Sequence, residues 1–128
     1  MKLNSVMIGS ADAKRLADYY TDVFGKPQWE DESGFYGWEL EDGSGFGIGP
    51  HDKVTGQNVH PGRVMWNLET LDFQADYERL AAAGAIVVKE PYDPMAEGAG
   101  EGSEMRIATF TDPDGNYFQL MTPMTPPE

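Results

Sequence analysis

Short segments of this chain recur in the same order, and that recurrence constrains the fold more than any other feature. Val6-Met7 precedes Val64-Met65 by 58 positions, and Ala17-Asp18-Tyr19 precedes Ala75-Asp76-Tyr77 by the same 58, with no gap between the two matches. Asp42-Gly43 with Phe46 precedes Asp114-Gly115 with Phe118 by 72, so the second copy carries 14 extra residues. The Gly-rich stretch 93–103 is where they fit. Two homologous halves follow.

Each half reads as strand, helix, then strands. Residues 3–9 alternate Val6 and Ile8 against Ser5, Met7 and Gly9. Over 11–24, Leu16, Tyr19, Tyr20, Val23 and Phe24 form one apolar helical stripe. Ser10 or Asp12 caps its start, and Gly25 with Pro27 ends it. Strands are expected at 28–31, 35–41 and 46–49, with hairpin breaks at Ser33-Gly34 and Asp42-Gly43. A polar connector covers 50–62. The second half repeats the order: a strand over 63–70 with Val64, Trp66 and Leu68 on one face, a helix opened by Asp72 and closed by Gly84, then strands at 85–89, 104–111 and 116–121. The tail 122–128 holds three Pro. The expected organisation is one domain over 1–128: module 1 at about 1–49, connector 50–62, module 2 at about 63–121. This is an α+β pattern.

Composition excludes several functions. With 9 Lys plus Arg against 22 Asp plus Glu the net charge is −13, which opposes nucleic acid and anionic membrane surfaces as partners. Cys is absent, so disulfides, thiolate catalysis and Cys-ligated zinc are excluded. The first residues show no basic patch followed by a long apolar run, and no stretch suits a membrane helix; a cytoplasmic protein is expected.

The run Thr109-Phe110-Thr111-Asp112-Pro113-Asp114-Gly115-Asn116-Tyr117-Phe118-Gln119-Leu120 resembles the closing hairpin of the vicinal oxygen chelate superfamily, which includes glyoxalase I, extradiol dioxygenases and fosfomycin- and bleomycin-resistance proteins. Ala17-Asp18-Tyr19-Tyr20 through Phe24-Gly25 is similar to the family's first helix, and Tyr77-Glu78-Arg79-Leu80-Ala81-Ala82-Ala83-Gly84 to its second. The resemblance runs from Leu3 to Met121. It implies two tandem βαβββ modules forming a curved, open barrel around a cleft, and a homodimer. Asp112 and Asp114 admit a metal pair, but Pro113 and Gly115 between and after them favour a turn.

The resemblance also implies metal-ligand positions on the first and last strands of each module. By the offsets these are Ser5, Gly47, Arg63 and Gln119. A hydroxyl, a hydrogen, a guanidinium and a neutral amide do not make a catalytic divalent site, which needs about three strong ligands. His51 and His60 fall in the connector. No metal and no cofactor are expected. Alternation sends Ser5, Met7, Arg63, Met65, Asn67, Tyr117, Gln119 and Met121 to the cleft. Gly45, Gly47 and Gly49 share that face, as extra room or as a close backbone approach. Arg63 either grips a ligand carboxylate or phosphate, or pairs with an acid such as Glu69 or Glu104. Trp66 reads as core; Trp38 as core or stacking wall; Glu39 as a base or an exposed carboxylate. The 93–103 loop is a lid or a passive insertion. The leading function is metal-independent binding of a small organic molecule, resembling bleomycin-resistance proteins. A lyase, isomerase or dioxygenase of the same superfamily is the alternative, with its catalytic residues unassigned.

Overall fold

The computed structural model describes residues 1–94 and 105–124. The chain divides into two compact units, Met1–Gln57 and Asn58–Glu128. Each is a four-stranded open sheet with one helix, so the expected pair of tandem α+β modules is the observed architecture.

The first unit holds β1 (Ser5–Ser10), α1 (Ala13–Phe24), β2 (Trp29–Glu30), β3 (Tyr36–Glu39) and β4 (Gly45–Pro50). Its strand order is β1-β4-β3-β2, with β1 parallel to β4 and the remaining pairs antiparallel. Helix α1 starts where the Asp12 carboxylate accepts the Arg15 N–H, and the Ser10 hydroxyl accepts the Asp12 N–H, so both expected capping residues act together. It ends at Gly25, whose φ of 88° an L side chain rarely adopts. The helix buries Leu16, Ala17 and Tyr20 against Ile8, Phe46 and Ile48 of the sheet. Rings dominate this core: Phe46 sits 5.0 Å from Tyr20 and 4.9 Å from Phe24. Trp38 is core, 1% exposed, and its indole N–H donates to the Gly25 carbonyl at 2.7 Å.

The second unit holds β5 (Trp66–Glu69), α2 (Phe73–Ala82), β6 (Ile86–Tyr92), β7 (Ile107–Thr111) and β8 (Tyr117–Met121), in the order β5-β8-β7-β6. Leu80 and Phe73 of α2 are buried, as are Phe110, Phe118 and Leu120 of the sheet. The Asp112 carboxylate accepts N–H bonds from Asp114 and Asn116 and from the Asn116 side chain, all within about 3.0 Å. It is a turn former, not half of a metal pair. Asn58 ties its own segment to that hairpin, donating to the Asp114 carbonyl and the Asn116 side chain.

The repeat is real, but its first offset is 60, not 58. Asp72 caps α2 as Asp12 caps α1, accepting the Ala75 N–H, and the Thr70 hydroxyl accepts the Asp72 N–H as Ser10 does for Asp12. Buried Leu80 stands for buried Tyr20. The strand pairs agree: Met7 lies beside Gly47, and Asn67 beside Gln119. The hairpin offset of 72 stands, since Gly43 and Gly115 close equivalent turns at φ 86° and 83°.

This corrects the position of Arg63. It is the counterpart of Leu3, and Met65 is the counterpart of Ser5. Nor is Arg63 on a strand: its N–H closes a turn on the His60 carbonyl at 3.0 Å, and β5 begins only at Trp66. Pro61-Gly62 makes that turn, and turn chemistry overrides the apolar alternation of 63–70. Val64, expected against the helix, is accordingly 65% exposed, and Met65 too precedes the strand. The expected loop at 93–103 lies outside the described residues from 95 onward, as does Glu104.

Candidate functional site

In a β-sheet, laterally paired residues share a face. The face of the first sheet turned away from α1 therefore carries two main rows. One is Met7, Gly47, Gly37 and Trp29 across all four strands; the next is Ser5, Gly45 and Glu39. Gly9 and Gly49 continue it. Five of these nine positions are glycine, yet the face is not an empty lobe. Long side chains from neighbouring positions lie down over the glycines. The Trp29 indole covers Gly37, the Phe35 ring covers Gly49, and the Met7 thioether covers Gly47; a Cβ on any of the three would overlap the atoms above it. Close approach, rather than added room, explains the glycines.

The result is a pocket of about 290 Å³ floored by glycine backbone. Trp29, Phe35 and Met7 supply its apolar wall. Asn4, Ser5 and Ser44 supply hydrogen-bonding groups, and Glu39 supplies a carboxylate. Among the described residues, no Lys, Arg or His lines it. Met7 is 60% exposed and Trp29 54%, large values for such apolar groups. Glu39 is exposed, its backbone N–H held by the Gln28 side chain at 3.0 Å. Next to Gly43 and Ser44 of the lining, the Asp42 carboxyl is held below its usual value, first by the Ser44 hydroxyl and then by the Ser44 backbone N–H.

The second sheet carries different chemistry at equivalent places. Its helix-distal row reads Asn67, Gln119, Thr109 and Lys89. The Gln119 amide donates to the Thr109 hydroxyl at 3.2 Å, and the Lys89 ammonium lies 3.8 Å over the Tyr92 ring. Tyr117 and Met121 share this face, Met121 being buried and Tyr117 half-buried. Thus Ser5, Met7 and Gly47 come together in the first unit, and Asn67, Tyr117, Gln119 and Met121 on one face of the second. Arg63 joins neither sheet and lines a shallow depression with His60, Pro61 and Gly62.

Sequence reasoning overlooked Gly37, Trp29 and Phe35 as site residues. The usable signal was Gly37 itself, an isolated glycine between Tyr36 and Trp38 in a strand. With the offset corrected, the four metal-ligand positions become Ser5, Gly47, Met65 and Gln119. The donor set is now a hydroxyl, a thioether and an amide, which fits a catalytic divalent ion no better. Among the described residues, no three His, Asp or Glu side chains converge.

The glyoxalase-like domain model matches residues 5–121, nearly the whole chain. The chain belongs to the glyoxalase-like family. Solved structures share its fold. A glyoxalase-related enzyme from Fulvimarina pelagi superposes with a TM-score of 0.71 at 18% identity, covering 95% of this chain and 88% of the other. A glyoxalase/bleomycin resistance protein/dioxygenase family enzyme from Burkholderia phytofirmans gives 0.71 at 19%, covering 95% and 98%. The glyoxalase/bleomycin resistance protein of Catenulispora acidiphila gives 0.65 at 23%, covering 94% and 95%. No curated protein matches the chain. No described helix is long and apolar enough to cross a membrane.

Proposed function

We propose that this glyoxalase-like protein binds a small organic molecule without a metal, on the helix-distal face of its first sheet. The reading rests on one observation: three flexible or aromatic side chains lie over bare glycine backbone around a pocket of about 290 Å³. Ligand sites are usually concave, apolar and furnished with a few polar groups, and this one has that make-up at the small end of their range. Structural relatives described as bleomycin resistance proteins make a sequestering role a coherent one for the fold. Asn67, Tyr117, Gln119 and Met121 offer hydrogen-bonding and apolar contacts on the second sheet.

Saturation-transfer NMR with a panel of bicyclic aromatics, repeated after Phe35→Ala and in the presence of a chelator, tests this. Binding is expected to fall at least about fivefold in the variant, since a stacked ring contributes on the order of 1 kcal/mol beyond its buried area. The chelator is expected to change nothing. Binding that requires a divalent ion, or that ignores Phe35, overturns the proposal. The family's lyase, isomerase and dioxygenase activities form the alternative, favoured by the Glu39 carboxylate within the pocket lining.

We also infer a homodimer, from the family resemblance. Sedimentation velocity at tens of micromolar, on the order of the concentration where an ordinary interface is populated, is expected to show two chains. A monomer there overturns it.

A further inference from the structure

We propose that the pocket's ligand is a planar aromatic cation, stacked on the outer face of the Trp29 indole with its charge at Glu39. This rests on the site assigned above and names the class of molecule that the site takes.

The geometry begins at Gly37. The indole atoms nearest its missing Cβ are Nε1, Cε2 and Cζ2, so the ring lies across Gly37. One indole face is occupied by backbone, and Trp29 is still 54% exposed, so surface remains for a second flat ring. Glu39 is two residues along the same strand and on the same face. At roughly 3.3 Å per residue, its Cα is about 6.6 Å from that of Gly37. That matches the length of two fused rings, so a molecule centred on the indole puts one end beside the carboxylate. The volume agrees. A dry cavity of roughly 150 Å³ holds benzene, and about 290 Å³ has room for a bicyclic or small tricyclic system.

Charge chooses the sign. Among the described residues, the lining holds a carboxylate and no basic side chain. Lys2 acts on the nearby Asp42, and Lys14 is engaged by Asp18 at 2.9 Å. The net charge of −13 raises the local concentration of cations and lowers that of anions. Indole is the best natural surface for a cation at van der Waals distance. Arg63, the residue that would have favoured an anionic ligand, lines a different depression with His60, Pro61 and Gly62.

Calorimetric titration with N-methylquinolinium, neutral quinoline and quinoline-2-carboxylate at pH 7.5 tests the idea on the full chain. The cation is expected to bind at least about fivefold tighter than quinoline, and the anion weakest. Trp29→Ala should lower cation affinity at least about tenfold. Glu39→Gln should remove the preference for the cation over quinoline, and added salt should do the same in part. Both residues are exposed, and unchanged far-ultraviolet circular dichroism confirms folding of each variant. Gly37→Ala, which dislodges the indole, should reproduce the Trp29→Ala loss. Equal binding of all three probes that depends on Trp29 but not on Glu39 overturns the cationic class and leaves the pocket standing. Binding of none of them, or binding indifferent to Trp29, overturns this proposal, and independence from Phe35 as well removes the site on which it rests.

Discussion

Asp42 and Asp112 occupy equivalent hairpin turns, and their carboxylates do similar work at very different depths. Asp112 is 5% exposed and accepts three N–H bonds. Asp42 lies at the surface, where the Ser44 hydroxyl bonds it at 2.6 Å and the Ser44 amide at 2.9 Å. Those bonds favour the charged carboxylate and hold its pKa below that of the unfolded chain, about 3.9. The sign follows from linkage. The contribution of Asp42 to folding is fully present above the unfolded pKa and is lost as pH falls through the lower folded value. Ser44→Ala removes the first of the two bonds. Carboxyl-detected NMR titration is then expected to place the Asp42 midpoint higher than in the parent chain; an unmoved midpoint would assign the depression to the backbone alone. Arg63 teaches a different lesson at this scale. Its guanidinium suits an anion, but the Pro61-Gly62 turn that closes on its own N–H decides where it stands.

At the scale of elements, the turns and caps organise each unit. The Asp-Pro-Asp-Gly-Asn hairpin joins β7 to β8, and its loop is also the anchor for Asn58. Replacing Asp112 by Ala leaves buried amides without their acceptor. Net losses are about 1 kcal/mol for an ordinary hydrogen bond and more for a charged one, so Asp112→Ala should destabilise by about 2–3 kcal/mol. Urea denaturation measures this; a loss below about 0.5 kcal/mol would show that water replaces the carboxylate freely. Helix positions and turns were legible because their signals are local: Asp12 and Asp72 before apolar stripes, Gly25, Gly43 and Gly115 where φ must be positive. Strand starts were less so. Residues 63–65 alternate like a strand but have no ladder partner, because the β5–β8 ladder starts only at the Trp66–Phe118 pair, just after the His60–Arg63 turn.

For the whole molecule, the two units share a plan and differ in the chemistry of their helix-distal faces. Across the first sheet, the row runs thioether, hydrogen, hydrogen, indole; across the second, amide, amide, hydroxyl, ammonium. Duplication explains the shared plan, and substitution at paired positions explains the difference. The family's metal chemistry has no foothold in the corrected donor set of Ser5, Gly47, Met65 and Gln119. Metal analysis of untagged protein is expected to find well under one equivalent of Zn, Fe, Mn or Ni per chain. About one equivalent, lost on Gln119→Ala, would overturn that expectation. By itself the sequence determined the α+β class, the duplication, both helices with their caps, the hairpin turns and the side of each sheet on which Gln119, Asn67, Met7 and Ser5 fall. All of these follow from neighbours within a few residues, through backbone sterics and a period of two or of 3.6. The offset of 60 was already implicit in the caps Asp12 and Asp72, whereas tertiary structure alone decided the removal of Arg63 from the sheet and the filling of the glycine row by Trp29, Phe35 and Met7. Those depend on which strands lie side by side. A side chain reaches across to cover a glycine only when pairing brings the two together, and no local pattern in the chain records that pairing.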